Sequence, residues 1–161
     1  VEIANLILEH RQDKKAITFS PTIKVAEKIK YGFTLHSKQT KKKRGLTMDE
    51  FIPLKEGVLN TSKSLDEGAD IPGLNLAIIL GVSSSSRQKV QRIGRTVRKA
   101  EGKVAEVFTL VLKGTVEEEW FRKSASSENY ITLDEHSLTA MLKGEEFTPK
   151  KNSKKQLILR F

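Results

Sequence analysis

The sequence predicts an α/β domain, with a mainly parallel central sheet and helices on its faces. Two patterns and one bound lead there. Short apolar runs end in turns that open segments of helical spacing, as in Ala16-Ile17-Thr18-Phe19, then Ser20-Pro21, then Ile23, Val25, Ala26 and Ile29. The run Leu74-Asn75-Leu76-Ala77-Ile78-Ile79-Leu80 is almost continuously apolar, the pattern of a parallel strand covered on both faces, and it belongs at the sheet centre. A length of 161 residues with 37% hydrophobic and 30% charged residues is enough for one domain with a real core.

The elements follow in order. Ile3, Leu6, Ile7 and His10 recur at helical spacing and predict an amphipathic helix over 2–12, ending in the charged cluster Arg11-Gln12-Asp13-Lys14-Lys15. Ala16–Phe19 reads as a buried strand, and the helix after it takes Pro21 in its first turn, where a missing N–H costs nothing. Phe33–His36 is a second short strand and Gly57–Thr61 a third. After the Leu74–Leu80 run, a basic helix follows four serines at 83–86; Val104–Leu112 is a further strand, and Gly114-Thr115 leads into a helix with Trp120 and Phe121 as core residues. Leu138, Met141 and Leu142 predict one more helix, an appendage ending near Lys143-Gly144, before a basic tail from Pro149 to Lys155. The expected division is therefore 1–124 as the sheet domain and 125–161 as a helical extension with its tail.

Charge narrows the partners. Lys plus Arg number 29 against 20 Asp plus Glu, a net +9 with pI near 9.7, which points to a polyanion. No long basic amphipathic helix favours a membrane surface, and no apolar run approaches the roughly 20 residues of a transmembrane span. Cysteine is absent, which excludes disulfides, thiolate metal sites and cysteine nucleophiles, and His10, His36 and His136 are scattered. The start Val1-Glu2-Ile3 has no secretory signal character, so a cytoplasmic setting, bacterial or in a phage-infected host, is expected; the missing initiator Met is expected of a fragment or a processed product.

Gln91-Arg92-Ile93-Gly94-Arg95-Thr96-Val97-Arg98 holds three arginines and a glycine in eight residues. At 100° per residue Gln91, Arg95 and Arg98 fall within about 60° of one another, while Val90, Ile93 and Val97 lie on another side. One face packs and the other presents guanidinium forks suited to phosphate oxygens. Alone, the segment reads equally as a solvated basic helix. It resembles motif VI of the superfamily 2 helicases, whose fixed positions are Gln or His, Arg, any residue, Gly, Arg, any two, then Arg. The resemblance makes Arg95 and Arg98 arginine fingers directed at the γ-phosphate of ATP, with Gln91 and Arg92 coupling the nucleotide to neighbouring motifs.

Further stretches carry the same resemblance in the same order. Ser20-Pro21 after a strand is similar to motif IV, where the turn lies beside the nucleic-acid backbone; a plain helix N-cap is the other reading of Ser20. Ser37-Lys38-Gln39-Thr40-Lys41-Lys42-Lys43-Arg44 carries five positive charges in eight residues and fits phosphate contact through Ser37, Lys38 and Arg44, or a solvated helix start. Thr61-Ser62 followed by Gly68-Ala69-Asp70-Ile71-Pro72-Gly73 resembles motif V. There Gly68 admits close backbone approach to the nucleotide, Asp70 accepts hydrogen bonds from a ribose hydroxyl or a motif VI arginine, and the hydroxyl of Ser62, or of adjacent Thr61, meets a phosphate.

What the resemblance implies is a RecA-like three-layer domain, the second motor domain of an ATP-dependent DNA helicase or translocase. No Gly-rich P-loop and no Mg²⁺-binding acidic pair occur in the sequence. ATP and Mg²⁺ are thus expected to sit mainly on an N-terminal RecA-like domain of the same polypeptide, absent here, and this chain alone is expected to be inactive. Within the family the motifs look most like DNA translocases and branch-migration helicases, including phage recombination helicases of the UvsW type. The motor fragment of a restriction enzyme and a non-catalytic nucleic-acid-binding module are the alternatives.

Overall fold

Among the described residues, the strand Lys15–Ser20 (β1) lies at the middle of a five-stranded, wholly parallel sheet. Its partners are Phe33–His36 (β2), Gly57–Ser62 (β3), Leu76–Leu80 (β4) and Glu106–Leu110 (β5), in the order β2-β3-β1-β4-β5. The computed structural model describes residues 1–62, 71–81, 106–124 and 131–148. The Leu74–Leu80 run is buried along the whole of β4, as its continuous apolar character requires, but β4 is β1's neighbour and not the centre. Helices on both faces bury any interior strand of such a sheet, so hydrophobicity alone does not rank β1 and β4.

From β1 the chain steps two places across the sheet to β2, then reverses direction to β3 and continues through β4 to β5. Crossovers between parallel strands are right-handed, so the reversal puts successive helices on opposite faces. Glu2–Glu9 (α1), Ile23–Ala26 (α2) and Glu135–Lys143 (α5) cover one face. There Ile7 and Leu8 of α1 and Leu138, Met141 and Leu142 of α5 pack on Ala16, Leu76, Ile78 and Phe108, and Val25 of α2 and Ile29 add to the layer. Lys41–Phe51 (α3) and Val116–Ser124 (α4) cover the other, with Phe51 and Phe121 against Ile17, Leu59, Ala77, Ile79 and Val107, and Trp120 partly buried beside them. Helix α5 therefore shares a core with α1 and the sheet, and is not an appendage to it.

Local chemistry moves three boundaries from their expected positions. Helix α1 ends at Glu9, where the His10 ring Nδ1 lies 3.0 Å from the Leu6 carbonyl. Helix α2 is a single turn capped by Thr22, whose hydroxyl accepts the Val25 N–H at 3.3 Å, so Pro21 lies before the helix and Ile29 beyond it. Gly32 ends this connection at φ +80°, where an added Cβ would run into the Val58 carbonyl oxygen; only glycine lets the chain pass β3 so closely. Lys15, expected in a charged cluster, is instead the first residue of β1 and is 1% exposed.

Candidate functional site at the carboxyl edge of the sheet

Strand register assembles the site. Ser20 of β1 pairs with Ser62 of β3, which pairs with His36 of β2, so three polar residues form one row at the carboxyl edge. Period-two alternation puts Ser20 on the same face as Ala16 and Thr18, and Ser62 on the same face as Asn60. One row deeper, Thr18 Oγ1 donates to Asn60 Oδ1 at 2.8 Å and Asn60 Nδ2 donates to the Tyr31 carbonyl at 2.6 Å. That row is used up in joining β1, β3 and the turn before β2.

The upper row is different. Ser20 is 5% exposed and its Oγ has no hydrogen-bond partner among the described residues; nor has the buried Nδ1 of His36, whose Nε2 lies 3.6 Å from a Glu27 carboxylate oxygen. A buried polar group left unpaired costs about 1–3 kcal/mol, so such a hydroxyl at a strand end is suited to a partner supplied from outside. Ser20 does not cap α2, because Thr22 does. Ser62 is 3% exposed beside it. Thr61 is not brought to the row: it faces the other side of the sheet, is fully buried, and its Oγ1 donates to the Thr18 carbonyl at 2.8 Å.

Beyond β2 the chain turns through Ser37 and Lys38, both exposed, into α3. Gln39, which nothing in the sequence singled out, sets this turn. Its Oε1 accepts the His36 N–H at 3.2 Å and its Nε2 donates to the Thr34 carbonyl at 2.9 Å. Among the described residues β2 is a sheet edge, and the amide satisfies two backbone groups of the kind a further strand would pair. Its only possible sequence signal is an amide three residues past a predicted strand end, which is too common to stand out.

Thr40 then caps α3, accepting the Lys43 N–H at 3.2 Å. Lys41, Lys42 and Lys43 are exposed in the first turn, with no acidic residue among them. Cations there oppose the positive end of the helix dipole, and an anion would relieve both. Arg44, one residue on, is half-buried with its Nε unpartnered among the described residues.

Gly68, Asp70, Gln91, Arg92, Arg95 and Arg98 lie outside the described residues. The structure does describe where their segments join the sheet. Gly81 follows β4 at φ +91°, its N–H donating to the Leu110 carbonyl at 3.2 Å, and a Cβ on it would lie 3.3 Å from Glu117 Oε1 and 3.9 Å from Pro21. The ends of β1 and β4 and the start of α4 thus converge. From this point the chain leaves β1 towards β2 but leaves β4 towards β5, the switch at which open α/β sheets take ligands. Helix α4 is fixed here by Glu118, whose carboxylate accepts the Gly114 N–H at 2.9 Å and an Arg122 guanidinium N–H at 2.8 Å; the first bond and then the second hold its carboxyl below the usual range. Among the described residues no group of three or more His, Asp or Glu could hold a metal ion, and no helix is long and apolar enough to cross a membrane.

Comparison with known proteins agrees with this fold. Residues 1–100 match the family model described as the helicase conserved C-terminal domain. The DNA 3'-5' translocase XPB2 of Sulfurisphaera tokodaii is 32% identical over 120 residues, 73% of this chain and 27% of the relative. The mitochondrial ATP-dependent RNA helicase MSS116 of Phaeosphaeria nodorum is 34% identical over 103 residues, 56% of this chain and 19% of the relative. The chain thus spans about a quarter or less of the length of these curated relatives. Among solved structures, domain 2 of the DEAD-box helicase Mss116p bound to an RNA duplex superposes with a TM-score of 0.60 at 27% identity, covering 80% of this chain and 53% of that one.

Proposed function

The chain belongs to the helicase conserved C-terminal domain family, and we propose that it serves as the second RecA-like motor domain of an ATP-dependent helicase or translocase that works on DNA. The observation that carries this reading is the row Ser20, Ser62 and His36, in which the buried Ser20 hydroxyl has no partner among the described residues, followed in the chain by the three exposed first-turn lysines of α3. Hydroxyl and lysine side chains hold one strand by its phosphates without reading bases, as a moving enzyme requires. ATP and Mg²⁺ would be held mainly by an N-terminal motor domain. Arg95 and Arg98 would complete that site across the cleft by stabilising charge on the transferred phosphoryl group, and Gln91 and Arg92 would couple the nucleotide to neighbouring motifs. Asp70 would accept hydrogen bonds from a ribose hydroxyl or one of these arginines, and Gly68 would let the backbone approach the nucleotide.

DNA is the preferred substrate because the pattern Glu67-Gly68-Ala69-Asp70-Ile71-Pro72 and the Gln at position 91 resemble the DNA translocases. One of the relatives above is named as a DNA translocase and another as an RNA helicase, so substrate choice is tested directly. The experiment is ATP hydrolysis by the full parent protein with single-stranded DNA or RNA of equal length, for the wild type, Arg95→Ala and Arg98→Ala. Stimulation by DNA that either substitution reduces by about 10³-fold or more is expected of an arginine finger. Stimulation by RNA alone would move the substrate assignment, and strand binding without any hydrolysis would make the domain a binding module.

A further inference from the structure

Lys15 is a buried cation with no anion beside it among the described residues. It opens the central strand at the edge opposite the strand-binding row and is 1% exposed. Its Nζ donates to the Ile52 carbonyl at 2.7 Å and to the Pro72 carbonyl at 2.9 Å, and lies 5.2 Å from the centre of the Phe51 ring. Its backbone is clamped as well: the Lys15 N–H donates to Asn75 Oδ1 at 2.9 Å and the Asn75 N–H donates to the Lys15 carbonyl at 3.1 Å. Burial lowers the pKa of the ammonium, a sign that the fold tolerates this charge at a cost.

Packing alone would favour an apolar side chain here, since buried charges replaced by well-fitted apolar groups are often neutral or stabilising. The two carbonyls give the lysine a different use. Ile52 directly follows α3, the helix whose other end carries Lys41 to Arg44. Pro72 lies two residues after Asp70 in the chain, on the stretch that leads into β4. An ammonium also suits the carbonyl end of a helix, where the dipole is negative.

We propose that Lys15 is a positioning residue that ties the end of α3 to Pro72, so that engagement of a nucleic-acid strand by α3 is transmitted towards Gly68 and Asp70, the residues proposed above to meet the nucleotide. The inference rests on the functional reading above. It predicts a loss of coupling: a parent protein carrying Lys15→Met folds and keeps its basal ATP hydrolysis, while the ratio of strand-stimulated to basal rate falls by about tenfold, within the range usual for coupling between sites.

The test measures both rates in the full parent protein, with saturating single-stranded DNA and without it, for the wild type, Lys15→Met and Lys15→Gln, together with thermal unfolding. Lys15→Gln retains a donor for one carbonyl and is expected to give an intermediate ratio. If Lys15→Met does not fold, the Lys15→Gln ratio decides alone. A purely structural role would reduce stimulated and basal rates by the same factor, and an unchanged ratio in the folded variants would overturn the proposal. A wild type without strand stimulation would overturn the functional reading, and the coupling role with it.

Discussion

Ser20 ends β1 and Thr61 lies one residue before the end of β3, both with a hydroxyl, yet their chemistry differs because of the direction each faces. Thr61 spends its hydrogen on the Thr18 carbonyl, whereas Ser20 Oγ is buried without a partner among the described residues. Removing a hydroxyl that folding leaves unpaired should cost little, and removing one that meets a phosphate should weaken binding. Ser20→Ala is therefore expected to change the unfolding free energy by less than about 1 kcal/mol and to lower strand affinity roughly tenfold, the value of one hydrogen bond to a charged group. Denaturant unfolding and fluorescence titration with a labelled strand read the two quantities. A large stability loss at unchanged affinity would make Ser20 a structural residue.

Helix α3 illustrates how an element can be held by its ends instead of its faces. Thr40 caps it, Phe51 anchors it in the core and the Lys15 ammonium accommodates the carbonyl that follows it. Between these it carries three first-turn lysines that oppose the helix dipole, a cost of up to about 0.3–1 kcal/mol each at low ionic strength. Replacing Lys41, Lys42 and Lys43 together by Gln is expected to raise the melting temperature of the chain slightly while reducing strand affinity. The logarithmic salt dependence of that affinity should become shallower by about 0.7 for each phosphate no longer neutralised on a single strand. An unaltered salt slope would show that the lysines are only solvated.

Across the whole molecule, the sheet order decides what can meet. Residues 20, 36 and 62 are far apart in the chain, and the arrangement β2-β3-β1 makes them neighbours at one edge. The same order sets the end of β4 beside the end of β1, next to the row. With no Gly-rich P-loop in its 161 residues, the chain by itself is expected to bind a strand and hydrolyse no ATP. A DNA-dependent rate that survives purification to homogeneity and scales with the amount of chain would contradict this division of labour.

The sequence by itself determined the fold class, the positions of the strands and the family, because these follow from local quantities: apolar periodicity along each strand, capping chemistry at each turn, and the order of short motifs. The Gly144 stop of α5 at φ +76° and the buried length of β4 were legible for that reason. Tertiary structure alone decided that β1 is the central strand, that Thr22 rather than Ser20 caps α2, that Gln39 completes the β2 edge and that Lys15 is buried. The strand order and the burial of Lys15 depend on which distant backbone groups come together. Thr22 and Gln39 instead bond backbone three to five residues away, and only the folded backbone picks them out from equally polar neighbours. A lysine among four charged or polar neighbours looks solvated in sequence; only when Ile52 and Pro72 are folded against it do two carbonyls appear to receive its protons.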